Sequence, residues 1–193
     1  MIQGHRIAPL AAASLLLSTS IAAAQEAPAG AADAATVARG KYFVTIAGCN
    51  DCHTPLKMGP NGPERDMTRM LSGHPETLEM PPVPTLPPGP WGAVAAATFT
   101  AWAGPWGVSF TANLTPDMET GLGKWTFQNF KDTIRTGRHM GRGREILPPM
   151  PIPMYQSLTD EDLQAIFAYL QSIPAVKNRV PQPLPPVVVT AAK

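Results

Sequence analysis

The two cysteines of the chain belong to one short motif, and this motif constrains the fold more than any other feature. Cys49 and Cys52 are separated by two residues, and His53 follows directly. Two thiols near the end of one helical turn can both add to the vinyl groups of one haem, and the adjacent histidine is then placed under its iron. The motif therefore predicts one haem c, covalently attached through two thioethers from Cys49 and Cys52 and ligated by His53.

Three other interpretations of the cysteine pair have less support in the sequence. A disulfide at this spacing closes almost no loop, so it gains little from the entropy of the unfolded chain. A thioredoxin-like redox pair expects alternating strands and helices around the motif, which this chain lacks. A zinc site needs two more ligands, such as His74 and His139, and these do not have the usual paired spacing.

The first residues, 1–24, have the pattern of a secretory signal peptide. Arg6 precedes an apolar stretch from Ile7 onwards, and small residues lead up to Ala24, after which we expect cleavage. The alternative is an uncleaved membrane anchor, but the stretch is rich in alanine and contains Pro9. An exported, periplasmic protein also agrees with the cysteine pair, because free thiols seldom persist in an oxidising compartment.

The charge balance argues against nucleic acid as a partner. The chain has 15 basic and 14 acidic residues, and removal of the leader removes Arg6, which leaves a net formal charge of about zero. After signal cleavage no segment is expected to span a membrane, and peripheral association with a membrane stays open.

The remaining chain is expected to form one domain with a flexible lead-in before it and a proline-rich tail after it. Residues 25–33 are a predicted flexible lead-in, residues 34–174 the domain, and residues 175–193 a proline-rich C-terminal tail. Within the domain, residues 55–109 form a long insertion rich in proline, glycine and tryptophan, which excludes long helices. The tetrapeptide Gly-Pro-Trp-Gly occurs twice in it, and a short hairpin and a short helix are both compatible with the pattern.

Three helices are predicted from periodicity and end signals. The first covers about residues 35–48 and delivers the cysteine motif, and the second covers residues 125–136 with Gly137 as its stop. The last begins after the cap Thr159 and ends before Pro174.

A second iron ligand is expected downstream of the motif, because one histidine leaves the sixth coordination position open. Met150 stands out, since prolines at positions 148, 149 and 151 restrict its backbone and favour a fixed position for its sulfur. Simple core packing of Met150 is the alternative. The competing ligands are Met154, Met140, His139, Met118 and His74.

These residues resemble the class I cytochrome c family from about residue 35 to residue 174. The resemblance rests on a helix that contains Gly40, on the motif at residues 49–53, on the late methionine loop and on a terminal helix that ends in Ala-Tyr-Leu at residues 168–170. Residues 113–117, 121–123, 135–137 and 150–155 look more narrowly like the haem domains of cytochrome subunits of bacterial membrane dehydrogenases.

The resemblance implies an all-α cytochrome c fold, with few helices around one covalently attached haem. It implies that the first and last helices cross at Gly40 and the region of Tyr169 and Leu170. It also implies that the haem lies between His53 and Met150, and it favours Met150 over Met154 as the ligand.

The predicted function is that of a periplasmic monohaem c-type cytochrome, an electron carrier and not an enzyme. It carries single electrons from a dehydrogenase to a downstream cytochrome or oxidase, with His53 and Met150 as iron ligands. The alternative is a haem enzyme or small-molecule sensor in which the sixth iron site is open or labile.

Two features are candidates for docking a redox partner. Exposed tryptophans in the 55–109 insertion would favour docking, whereas buried ones would indicate packing. A group of basic residues before the methionine loop is the second, although a solvated face or contacts to haem propionates explain it equally well. This group consists of Lys131, Arg135, Arg138, Arg142 and Arg144.

Overall fold

Apart from Met1, the computed structural model describes residues 32–84 and 90–186. The predicted signal peptide and most of the lead-in lie outside these residues. The helices are α1 (Ala34–Ile46), α2 (Cys49–His53), α3 (Phe127–Thr136), α4 (Ile152–Tyr155) and α5 (Asp160–Ser172). The strands are β1 (Leu56–Gly59), β2 (Gly62–Arg65), β3 (Val94–Ala95), β4 (Ala101–Gly104) and β5 (Gly107–Phe110). Single 3-10 turns occur at Met67–Arg69 and His139–Gly141.

The expectation of an all-α fold is wrong, because the insertion contains two small antiparallel sheets. Strands β1 and β2 form a hairpin, and β3, β4 and β5 form a three-stranded sheet in that order. Proline cannot donate a backbone hydrogen bond and interrupts helices, whereas glycine permits tight turns. The β1–β2 and β4–β5 hairpins each end on a glycine pair, Gly59 with Gly62 and Gly104 with Gly107. The second Gly-Pro-Trp-Gly is thus a hairpin turn.

The helices begin and end close to the predicted positions. Helix α3 starts two residues later than predicted, because the Thr126 side chain accepts from the Asn129 amide in a capping box. Its predicted stop, Gly137, has φ +67°, a left-handed conformation that glycine adopts at low cost. Thr159 caps α5 by accepting from the amide of Asp162, as predicted.

Helices α1 and α5 cross where α1 has a glycine. A Cβ atom at Gly40 would lie 1.9 Å from the carbonyl oxygen of Ala165 and 2.8 Å from the Cβ of Tyr169. The backbones therefore touch, and the predicted crossing at Gly40 and Tyr169 is confirmed. Around this crossing, α1, α3 and α5 pack one hydrophobic core. Its buried helical residues include Val44, Phe130, Ile134, Leu163, Ile166 and Leu170.

Part of the C-terminal segment is tied into this fold. Asn178 is fully buried, and Leu184 forms an isolated antiparallel bridge with Val108 on β5. In the part of the chain that the structure describes, no helix has both the length and the apolar character needed to cross a membrane.

Candidate functional site

Helix α2 places the cysteines and the histidine on one turn. Gly48 precedes it in a left-handed conformation, φ +66°, which turns the chain between α1 and α2. Cys49 and Cys52 are both free and half-buried. Burial raises the pKa of the Cys49 thiol to about 11 and also raises the pKa of Cys52. Both thiols are therefore protonated at neutral pH, unlike the activated thiolate of a thioredoxin-like pair.

The His53 ring is buried, and the partner of one nitrogen defines its tautomer. Nδ1 lies 2.8 Å from the carbonyl oxygen of Ala112. A carbonyl can only accept, so Nδ1 carries the hydrogen and Nε2 keeps its lone pair. Burial lowers the pKa of His53, which keeps the ring neutral at pH 7. A neutral imidazole with a free Nε2 and an oriented Nδ1–H is the form that binds metals.

The methionine candidates differ in burial. Met150 is half-buried and packs against the same hydrophobic core as Cys49. It also lines a solvent-open pocket of about 300 Å³ together with Ile146 and Gln156. Met154, on the following helical turn, is 56% exposed. The burial therefore favours Met150 as the thioether that faces the interior.

His74 uses both ring nitrogens within the protein. Its Nδ1 lies 2.9 Å from the hydroxyl of Thr100, and its Nε2 lies 3.4 Å from the carbonyl oxygen of Leu78. It therefore offers no free nitrogen to a metal. Residues 32–84 and 90–186 contain no cluster of three or more side chains of the kind that holds a zinc ion.

The two candidate docking features are only partly accessible. Trp91 is 77% exposed, whereas Trp102 and Trp106 are half-buried. In the basic group, Lys131 and Arg135 both pair with the carboxylate of Asp160. These two side chains thus join α3 to the start of α5.

Similarity to known proteins shows the family of this chain. The family profile described as cytochrome c matches residues 37–174. The chain belongs to the cytochrome c family. Family membership implies haem c as the cofactor and electron transfer, not catalysis, as the role of this chain.

Curated relatives of the cytochrome are named as parts of dehydrogenases. One of the subunits of nicotinate dehydrogenase from Pseudomonas putida is 37% identical over 90 residues, which are 47% of this chain and 8% of the relative. The cytochrome c subunit of the quinone alcohol dehydrogenase of Gluconacetobacter polyoxogenes is 29% identical over 159 residues, 82% of this chain and 25% of the relative. The fructose dehydrogenase cytochrome subunit of Gluconobacter japonicus is 27% identical over 176 residues, 88% of this chain and 29% of the relative. The chain therefore spans less than a third of each of these relatives.

The residues of the cytochrome fit haem c. Two free thiols and a neutral histidine with an open Nε2 lie on the single turn α2. A half-buried thioether, Met150, packs on the same core as Cys49. This donor set, one imidazole and one thioether beside two alkylatable thiols, matches the ligands of a low-spin haem.

Two contacts of the site were not predicted from the sequence. The acceptor for His53 is a backbone carbonyl, and any residue type at position 112 could supply it. The Tyr155 hydroxyl donates to the carbonyl oxygen of Ala47 over 2.8 Å, which ties the methionine segment to the end of α1. A tyrosine five residues after Met150 was the available signal, but its partner lies more than 100 positions away.

Proposed function

We propose that this cytochrome carries single electrons in the periplasm with one haem c. Cys49 and Cys52 hold the haem through thioether bonds, and His53 and Met150 ligate its iron. When bound, the haem supplies one-electron oxidation and reduction. The periplasmic location rests on the leader pattern of residues 1–24.

The hydrogen bond from His53 Nδ1–H to the Ala112 carbonyl is the observation that carries this proposal. It keeps one tautomer and one ring orientation, so that Nε2 stays directed as a donor throughout a redox cycle. A buried, neutral ring also changes little between the two charge states, which keeps the reorganisation of the protein small.

Met150 would raise the reduction potential of the cytochrome relative to a second histidine, since a thioether stabilises reduced iron. Such a potential suits an acceptor of electrons from a dehydrogenase. The names of the relatives support a dehydrogenase as the donor. A downstream cytochrome or oxidase would then be the acceptor, and the protein would associate with a membrane only peripherally.

The first experiment asks whether haem is attached. The protein is produced together with haem-maturation machinery, denatured, and examined by its pyridine haemochrome spectrum. We expect one covalently bound haem per chain, and none in a Cys49→Ala, Cys52→Ala double variant. A wild-type protein without covalent haem would contradict the proposal.

The second experiment tests the methionine ligand with a matched pair of variants. Met150→Ala should abolish the far-red methionine-to-iron charge-transfer band of the oxidised protein and lower its reduction potential. Met154→Ala removes an exposed thioether from the same segment and should leave both unchanged. The opposite pattern would assign the ligand to Met154. A wild type that lacks the band and binds carbon monoxide rapidly would favour an open-site enzyme or sensor.

A further inference from the structure

The side chain of Asn178 is fully buried although it lies in the C-terminal segment, and every part of its amide is used. Its Oδ1 accepts from Arg69 Nη2 at 2.8 Å and from the Glu76 amide at 2.9 Å. Its Nδ2 donates to the carbonyl oxygens of Ser72 at 2.7 Å and His74 at 2.8 Å. A fully satisfied buried amide fixes the geometry of the groups it joins. Here it holds both ends of one loop, residues 69–76.

The middle of the 69–76 loop packs against the backbone of Thr111 and Ala112, and the Ala112 carbonyl is the group that accepts from His53. The Gly73 amide donates to the carbonyl oxygen of His53 at 2.8 Å, and the His74 amide donates to the carbonyl oxygen of Thr111 at 3.0 Å. Gly73 has φ +77°, and a Cβ atom there would lie 2.4 Å from the Thr111 oxygen and 2.6 Å from the Ala112 oxygen. Because the backbones touch, the loop cannot move without moving the Ala112 carbonyl.

The backbone near Asn178 is also hydrogen-bonded to the segment that follows the Ala112 carbonyl. Its amide donates to the hydroxyl of Thr120 at 2.9 Å. Two residues earlier, the carbonyl of Val176 accepts from Asn113 Nδ2 at 2.8 Å. Asn113 follows Ala112 directly in the chain. Residues 176–178 therefore link the 69–76 loop to the segment that follows Ala112.

We infer that Asn178 is a positioning residue for the haem ligand: it holds the Ala112 carbonyl against the Nδ1–H of His53 and thereby sets the reduction potential. This inference rests on the proposed role of His53 as an iron ligand. A strong acceptor at Nδ1–H makes Nε2 a better donor, and a better donor stabilises oxidised iron. Loss of Asn178 should therefore weaken the hydrogen bond and raise the potential.

Two variants distinguish the hydrogen bonds that the Asn178 amide donates from those that it accepts. Asn178→Asp keeps the volume and the acceptor oxygen but loses both donors to the 69–76 loop, whereas Asn178→Ala loses all four hydrogen bonds. The readout is the exchange of the His53 ring N–H with D₂O, followed by ¹⁵N NMR in the reduced, haem-loaded protein. We expect exchange to accelerate about tenfold in Asn178→Asp, equivalent to the loss of one hydrogen bond, and further in Asn178→Ala. The reduction potential should rise in Asn178→Ala, whereas Asn178→Asp is assessed by exchange alone, because its added negative charge by itself lowers the potential.

Ile173→Val supplies the control, because it weakens the hydrophobic core just before the same segment and removes no hydrogen bond. It should lower the unfolding midpoint in urea while ring N–H exchange and potential stay at wild-type values. A purely structural role for Asn178 predicts the same pattern for its own variants. Lower midpoints with unchanged exchange in whichever Asn178 variant folds would overturn the inference.

A failure of the proposed function is visible in the wild type itself. A wild-type protein without covalent haem, or with an intact haem that His53→Ala leaves spectroscopically unchanged, overturns both proposals. Wild-type exchange in the Asn178 variants of a haem-loaded protein overturns only the role of Asn178.

Discussion

Tyr155 illustrates how one side chain joins distant parts of the site. Its hydroxyl donates to the carbonyl of Ala47, two residues before Cys49, while its own backbone belongs to the turn after Met150. The phenol can donate only while it is protonated. Burial raises the pKa of Tyr155 to about 12, above the ordinary value of 10.0.

The raised pKa of Tyr155 predicts a loss of stability in alkali. The unfolded state loses the phenol proton near pH 10 and the folded state only near pH 12. The contribution of Tyr155 is thus fully present below pH 10 and is lost as the pH rises through about 12. Tyr155→Phe should cost about 1 kcal/mol at neutral pH and flatten this alkaline decline. Urea unfolding from pH 8 to pH 12, at steps of about one pH unit, measures the loss of stability and the slope of the alkaline decline.

Tyr42→Phe is the matched control for this measurement, because Tyr42 is exposed. It should unfold as the wild type does at every pH. A Tyr155→Phe protein with the wild-type alkaline slope would show that the Tyr155 hydroxyl does not couple its ionisation to folding.

Among the elements, the crossing of α1 and α5 depends on the missing side chain of Gly40. The carbonyl oxygen of Ala165 occupies the position that a β-carbon would need. A buried helix pair at this distance cannot separate locally without opening the core formed by Val44 and Leu170.

Gly40→Ala should therefore destabilise the protein although alanine is the better helix former. The overpacked crossing should cost about 3 kcal/mol, which exceeds the gain of about 1 kcal/mol in helix propensity. The free energy of unfolding in urea measures the difference. Gly92→Ala is the control, since a Cβ there meets nothing within 4 Å. Equal stabilities of the two variants would contradict the contact between the backbones.

The long helices were predictable from the sequence, and the strands were not. Helix α5 carries its own signals, a Thr159 cap and apolar residues at helical spacing, so local chemistry defines it. Strands β1 to β5 have two to four residues each, too few for an alternating pattern to be recognised. They form through pairing with a neighbouring strand, across glycine turns in β1–β2 and β4–β5, and the prolines predicted only that no long helix would occur there.

At the scale of the whole molecule, the site also combines residues that a local motif places together with residues that only the fold brings close. The predicted attachment residues Cys49 and Cys52 and the predicted ligand His53 stand in one local motif, so their proximity follows from the sequence. The groups that orient His53 come from elsewhere, through the Ala112 carbonyl and the buried amide of Asn178. Any residue type supplies a backbone carbonyl, so the sequence does not indicate which one accepts from His53. Nothing in the proline-rich segment after residue 174 indicates that Asn178 is buried.

The C-terminal segment should consequently contribute to the stability of the entire domain. A chain that ends at Pro174 loses the Asn178 amide and the bridge between Val108 and Leu184, whereas a chain that ends at Pro186 keeps both. The shorter chain also leaves the carbonyls of the 69–76 loop without their donor. The Asn178 side chain makes four hydrogen bonds and the bridge adds two, so at about 1 kcal/mol each we expect the shorter chain to be less stable than the longer one by about 6 kcal/mol. Urea unfolding of both haem-loaded chains measures the difference, and coincident curves would show that residues 175–186 add nothing to the fold.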